Sequence, residues 1–317
     1  MSADNGRPHQ STVSTPEPQR RAATAAPRDR LPTTLLRWLG DPLRAGFVVL
    51  CAIGVVGLLT GIAPVGTDIT TYWLHRLPDP YTVTQYVSRE GGYFYSPAFT
   101  QLFVPMTVLP LRLAASIWLL VLLLVLYRMA GRWAAAMLLL LPVAIEVQAA
   151  NIHLLLAAVA LFGLRYPGLW AFAFLTKVTP GIGVVWFVFR GEWRQFAIAL
   201  GTTAAIAGVS FLLAPGLWAE WIALLRANST ADPGFPAMSE LPLVVRLLIS
   251  LALVWWGART DRPWTVVVAS MVSLPVIWWN SPAMLVALSH PSSGIDIRGI
   301  RRPRTILRGV FRSANPQ

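Results

Sequence analysis

A few polar clusters interrupt an otherwise apolar chain, and their side chains are of kinds that do acid–base or phosphate chemistry. Asp68 comes first, in Gly66-Thr67-Asp68-Ile69-Thr70-Thr71-Tyr72-Trp73, straight after the first long apolar run. Gln148, Asn151 and His153 fall together between two later runs, Lys177 stands in Thr176-Lys177-Val178-Thr179-Pro180, and Asn280 in Trp278-Trp279-Asn280-Ser281-Pro282. A carboxylate where a span meets water can be partly desolvated and take a proton from a substrate; it can also simply cap a helix at the interface. Lys177, the chain's sole lysine, is a point charge beside broken helix ends, a setting that suits a phosphate. A lysine at that depth can instead snorkel to the interface. Gln148, Asn151 and His153 fit substrate contact, and they also fit hydrogen bonding between helices. No second His or carboxylate stands at ligand spacing around His153, so a metal site is not expected. Neither a Walker pattern nor a glycine-rich phosphate loop is present, and no cofactor is expected.

The elements that must position these residues are membrane helices. Of 317 residues, 55% are hydrophobic and 13% charged, with a mean hydropathy of +0.57; soluble domains run nearer ~25% charged. The net charge of +12 sits in the tails and in short loops between apolar runs, where it orients spans rather than binding nucleic acid. Basic tails of this kind attract anionic membrane lipids. Cys51 is the only cysteine, which excludes an intrachain disulfide and a thiolate metal site.

Residues 1–33 are poor in large apolar side chains and read as a disordered basic tail. A transmembrane domain follows over 34–290, and a second basic tail over 291–317. The apolar runs are 45–64, 113–127, 133–147, 154–164, 169–175, 181–189, 196–213, 241–257 and 264–288, the last broken at Asn280 into a hairpin. Residues 96–109 are apolar but short, with Pro97 and Pro105, and read as a re-entrant or juxtamembrane helix. With that reading the arginine turns at 128/132, 165, 190/194 and 259/262 share the side of both tails, the cytoplasmic side by the positive-inside rule. The outcome is an all-α polytopic protein of about ten crossings. Asp68, the Gln148–His153 group, Lys177 and Asn280 then emerge together on the outer face, with two long loops whose Trp218 and Trp221 read as interfacial anchors.

Those residues, with Phe94-Tyr95-Ser96-Pro97-Ala98-Phe99 and Leu109-Pro110, resemble the polytopic GT-C glycosyltransferases, and family 87 in particular, over roughly residues 47–288. The resemblance implies a GT-C-like bundle with a long first extracytoplasmic loop holding juxtamembrane helices, in a bacterial cytoplasmic membrane. It implies inverting transfer of a sugar, often mannose, from a polyprenyl-phosphate donor to a lipid-linked or cell-envelope glycan acceptor. Asp68 would deprotonate the acceptor hydroxyl and Lys177 would face the donor phosphate. Tyr72, Tyr95, Gln148, Asn151, His153 and Asn280 would contact substrate. Related sequences often carry His in the last outer turn, where this chain has Asn280 and Ser281. Two other classes fit membrane helices broken around a lysine: a transporter or lipid flippase, and a catalytically silent envelope scaffold. No internal repeat links the chain halves, which argues against the first.

The layout is checked by impermeant thiol labelling of intact cells in a Cys51→Ala background. Asp232→Cys should label and Arg262→Cys should not; the reverse pattern would invert the orientation.

Overall fold

The computed structural model describes residues 38–81, 93–227 and 241–295. The chain divides into two units, Met1–Leu39 and Gly40–Gln317. Of the first, only Trp38 and Leu39 are described, both helical, so the expected tail over 1–33 lies outside the described residues. The same holds for most of the C-terminal tail, for Gly91 and Gly92, and for residues 228–240 of the second long loop.

Among its described residues the second unit is mainly helical and holds no strand. Its α-helices are α1 (Pro42–Thr60), α2 (Thr67–Leu74), α3 (Pro97–Thr107), α4 (Leu111–Ala130), α5 (Ala134–Met137), α6 (Leu141–Ala149) and α7 (His153–Phe162). Then come α8 (Trp170–Thr176), α9 (Val185–Arg190), α10 (Trp193–Leu213), α11 (Pro215–Ala227), α12 (Leu243–Thr260) and α13 (Trp264–Val272). Turns of 3₁₀ helix link several of them, notably Thr179–Val184 between α8 and α9, and Ser281–Ser289 after α13.

Local chemistry sets the ends of these helices. α1 begins at Asp41, whose side chain accepts the amide of Leu43 at 3.0 Å, with Pro42 in the first turn. It stops at Gly61, which takes a left-handed φ of 84°. Arg112, in the first turn of α4, donates to the carbonyls of Leu58 and Ala63 at that end of α1. Arg132, just past the other end of α4, lies 3.4 Å from Asp41. The two helices therefore run antiparallel, tied at both ends.

Among the described residues, four helical stretches are long and apolar enough to cross a membrane: Pro42–Thr60, Leu111–Met137, Trp193–Leu213 and Leu243–Thr260. A fifth results if α6 and α7, bent by 111° at their junction, count as one broken span. Burial ranks them. Only 11% of the apolar window is buried in α1 and again in α10, against 50% in the stretch headed by α4. The first two turn their apolar surface outward, as lipid-facing helices do, and α4 is the central post. The remaining pieces are short; the seven residues of α8 rise only about 10 Å against a core about 30 Å thick.

Within residues 96–109 the short α3 forms, as expected. The 264–288 block breaks earlier than expected: α13 ends at Val272, eight residues before Asn280. The run 133–147 does not form one span: it breaks at residues 138–140, and α6 restarts with Pro142 in its first turn. Pro lacks an amide proton, so it starts a helix more readily than it continues one. Two of the arginine turns are joined. Arg190 reaches Glu192 at 2.8 Å and Asp261 at 2.9 Å, which ties the α9–α10 turn to the α12–α13 turn at one end of the bundle. At the other end the two long loops meet, where the Trp221 indole donates to the Phe94 carbonyl at 2.9 Å.

One buried cation belongs wholly to the fold. Arg246, 5% exposed on α12, donates to the carbonyls of Leu241, Val272, Leu274 and Pro275. Those last three carbonyls lie where α13 gives out and the helical ladder no longer serves them. Arg246→Met keeps the length and removes every donor. It should lower the thermal midpoint in detergent sharply, since each buried polar group left unpaired costs about 1–3 kcal/mol. Arg246→Lys, with one donating nitrogen, should recover only part of the loss.

Candidate functional site

The site is built where three helices break. α6 ends because Ala150 turns left-handed, φ 60°, and its carbonyl is held by the Trp118 indole at 2.9 Å. α7 then starts at His153 in a new direction. α8 ends at Lys177, and the next residue, Val178, takes φ 51°. A β-branched residue disfavours that region by about 1–3 kcal/mol, so the turn is held from outside. Ser96 donates to the Leu175 carbonyl on one side, and Ser270 to the Pro180 carbonyl on the other. The third break is the irregular stretch after α13, which delivers Asn280.

Glu146 joins these breaks. It sits in α6 with no exposed surface, and sequence reasoning missed it. One carboxylate oxygen accepts from His153 Nδ1 at 2.9 Å and from the Asn280 amide at 2.8 Å. The other accepts from the backbone amide of Leu154 at 3.2 Å, in the first turn of α7. The carboxylate thus caps a half-helix whose N-terminal dipole favours it. His153, also fully buried, has its second nitrogen Nε2 2.9 Å from Lys177 Nζ. Since Nδ1 faces a carboxylate it carries the proton, and Nε2 accepts from the lysine ammonium. Both ring nitrogens are committed, which leaves no lone pair on this ring for a metal. The signal that could have found Glu146 was present: an acid inside the apolar stretch Leu141-Pro142-Val143-Ala144-Ile145-Glu146-Val147.

Asp68 reaches the cluster from the other side. Gly66 precedes α2 and lies so close to the Gln148 and Ala149 carbonyls that a Cβ there would overlap the backbone. That contact seats the first turn of α2, with Asp68 in it, against the end of α6. α2 lies outside every helix long enough to span. Asp68 is half-buried, and burial pushes its carboxyl up to about 6; the nearby Lys177 charge opposes this, Glu146 adds to it, and the Asn151 amide favours the ionised form.

The sequence-predicted residues therefore divide by position. Asp68, Asn151, His153, Lys177 and Asn280 converge. Gln148 is adjacent and its side chain is exposed. Tyr72 and Tyr95 are buried with their hydroxyls 3.1 Å apart, Tyr72 being ringed edge-on by Tyr95, Phe99, Phe103 and Trp118. Through Tyr72, which belongs to α2, this aromatic cluster packs α2 against α3 and α4. Trp218 and Trp221 stack edge to face and donate to Ser210 and Phe94, so they tie α11 to its neighbours.

An all-helical bundle with several apolar spans and a carboxylate, imidazole and ammonium gathered at broken helix ends defines a membrane protein with a polar reaction or binding site. Its family can be stated: the chain belongs to glycosyltransferase family 87, whose model matches residues 93–290. Glu146, Asn151, His153, Lys177 and Asn280 lie inside the matched segment, and Asp68 lies before it. No curated protein and no solved structure matches the chain. As a glycosyltransferase it uses a sugar donor and an acceptor.

The Gly66 contact yields a direct check. Gly66→Ala should push α2 away from α6 and displace Asp68 while leaving Asp68 chemically intact. Shifts of about 1 Å in a catalytic group cost on the order of 10²-fold in rate, so sugar transfer should fall by that order with the protein still inserted and monodisperse.

Proposed function

We propose that the protein transfers a hexose, mannose in the first instance, from a polyprenyl-phosphate carrier to a lipid-linked or cell-envelope glycan, at the outer face of a bacterial cytoplasmic membrane and with inversion. The observation that carries this reading is the placement of Asp68, half-buried and raised to about 6, beside an ammonium held in place by His153. Asp68 removes the acceptor hydroxyl proton as the oxygen attacks the anomeric carbon. The carbon–oxygen bond to the phosphate breaks, and the prenyl phosphate leaves with the electron pair. That leaving group needs charge stabilisation more than a proton, and Lys177 supplies it. One base and one displacement give inversion, unlike the paired carboxylates of retaining hydrolases.

A lipid-borne donor suits a chain whose described residues are almost wholly bundle and loops, with the candidate groups at the end of α1 opposite Asp41. In the ten-crossing layout the short pieces α7, α8 and α9 each count as a crossing. The positive-inside rule supports a layout with the arginine turns and both tails inside.

The pH profile tests the base. A group acting deprotonated gives kcat/KM that rises with pH through about 6 and levels above it. Asp68→Asn should cost ~10² to 10⁴ in rate. Because folding raises this carboxyl, its contribution to stability is largest at acidic pH and is lost as pH climbs through about 6. Asp68→Asn should therefore keep or raise the thermal midpoint near neutral pH. A variant that transfers sugar at more than about a tenth of the normal rate rules Asp68 out as the base.

A further inference from the structure

Lys177 does not stand alone: a string of hydrogen bonds runs from its Nζ through His153 to Glu146, and from Glu146 to Asn280 and the amide of Leu154. We propose that Glu146 and His153 are positioning residues that aim the Lys177 ammonium at the donor's phosphate, a role that rests on the functional reading above.

Two functions are open to such a string, and burial decides between them. A proton relay needs an exit. Glu146 has no exposed surface, and its carboxylate already accepts three hydrogen bonds. A proton passed from Lys177 to His153 ends there. The string is therefore a prop. A lysine ammonium is a flexible point charge on a four-carbon stem and loses much entropy when fixed. One hydrogen bond to a rigid, fully buried imidazole fixes its direction and leaves two N–H groups for a ligand.

The prop works in one tautomer only. With Nδ1–H donating to Glu146, Nε2 offers its lone pair to the ammonium; with the proton on Nε2, two donors would face each other. Glu146 selects the productive form, as outer carboxylates do for metal-bound histidines. Asn280, on the last outer turn, completes the carboxylate's partners, so that turn contributes through Glu146.

The test uses the full-length protein in detergent and a short-chain prenyl monophosphate, the released half of the proposed donor, with binding read by calorimetry. Lys177→Ala should weaken binding about tenfold or more, the usual range for a hydrogen bond to a charged group. His153→Phe should weaken it about tenfold when Lys177 is present and less than about threefold in the Lys177→Ala background, because the prop then has nothing to hold. His153→Gln, whose amide can offer an acceptor near the place of Nε2, should recover most of the affinity. Equal losses from His153→Phe in both backgrounds overturn the proposal and leave the Lys177 reading standing. Wild-type affinity in Lys177→Ala overturns the donor-phosphate reading itself, and this proposal with it. If His153→Phe does not fold, the wild-type protein decides. NMR of isotope-labelled histidine, with the His153 signal assigned by its loss in His153→Gln, should show the proton on Nδ1 and a bare Nε2; a proton on Nε2 overturns the proposal.

Discussion

The Glu146 carboxylate is the interaction on which the site's architecture depends. It is a charged group placed where no water reaches it, which is tolerable only if its donors are complete. Those three donors come from two separate stretches of chain: the backbone and imidazole at the start of α7, and the amide of Asn280 some 134 residues away. Burying the carboxylate thus obliges α6, α7 and the turn that holds Asn280 to meet. Removing one partner would leave the charge under-served, at a cost in the range of several kcal/mol. A membrane bundle has no hydrophobic drive between helices comparable to that of a soluble core. A satisfied charge at a helix break is one of the few interactions strong enough to hold such a junction in a single arrangement.

The broken helices follow from the same requirement. Continuous helices close their own backbone hydrogen bonds and offer a substrate nothing polar. The bend at Ala150, the left-handed Val178 and the irregular stretch after α13 open free amides and carbonyls, and each is then paired: Ala150 by Trp118, Leu175 by Ser96, Pro180 by Ser270, the end of α13 by Arg246. Irregular backbone at membrane depth is permitted where protein satisfies it. The apolar outer helices α1 and α10, mostly facing outward, carry none of this burden.

How much was legible in the sequence depends on whether a signal was local. Asp68, Lys177, His153, Asn151 and Asn280 are polar residues at the edges of apolar runs, and their being brought to one place follows from helices that start and stop there. The family could be read from the order of those same clusters. Glu146 and Arg246 were not singled out, because each lies inside a run that looked like one uninterrupted span, and averaging over a window hides a single charge. The break at 138–140 was missed for the same reason, although Pro142 marked it. Tyr72 and Tyr95 carry hydroxyls, so composition could not reveal that they pack edge-on in an aromatic cluster with their hydroxyls paired. The number of crossings is the least legible feature, since pieces such as α8 are apolar but too short to assign to a crossing one at a time.

Two carboxylates and one ammonium in a small volume raise an electrostatic objection to an anionic donor: by simple count the negative charges prevail. Direction resolves it. Glu146 spends both oxygens on inward donors, including the positive end of α7, so most of its field is compensated by dipoles on its own side. His153 stands between it and Lys177 as a neutral spacer. The ammonium then has its remaining donors free on the side away from Glu146, with Asp68 near enough to feel its charge. In the proposed reaction the donor's phosphate meets that cation, and Asp68 stays available for the acceptor's proton. On the proposed reading, the separation of roles between base and cation follows from which way each group is turned, and the buried carboxylate maintains that orientation.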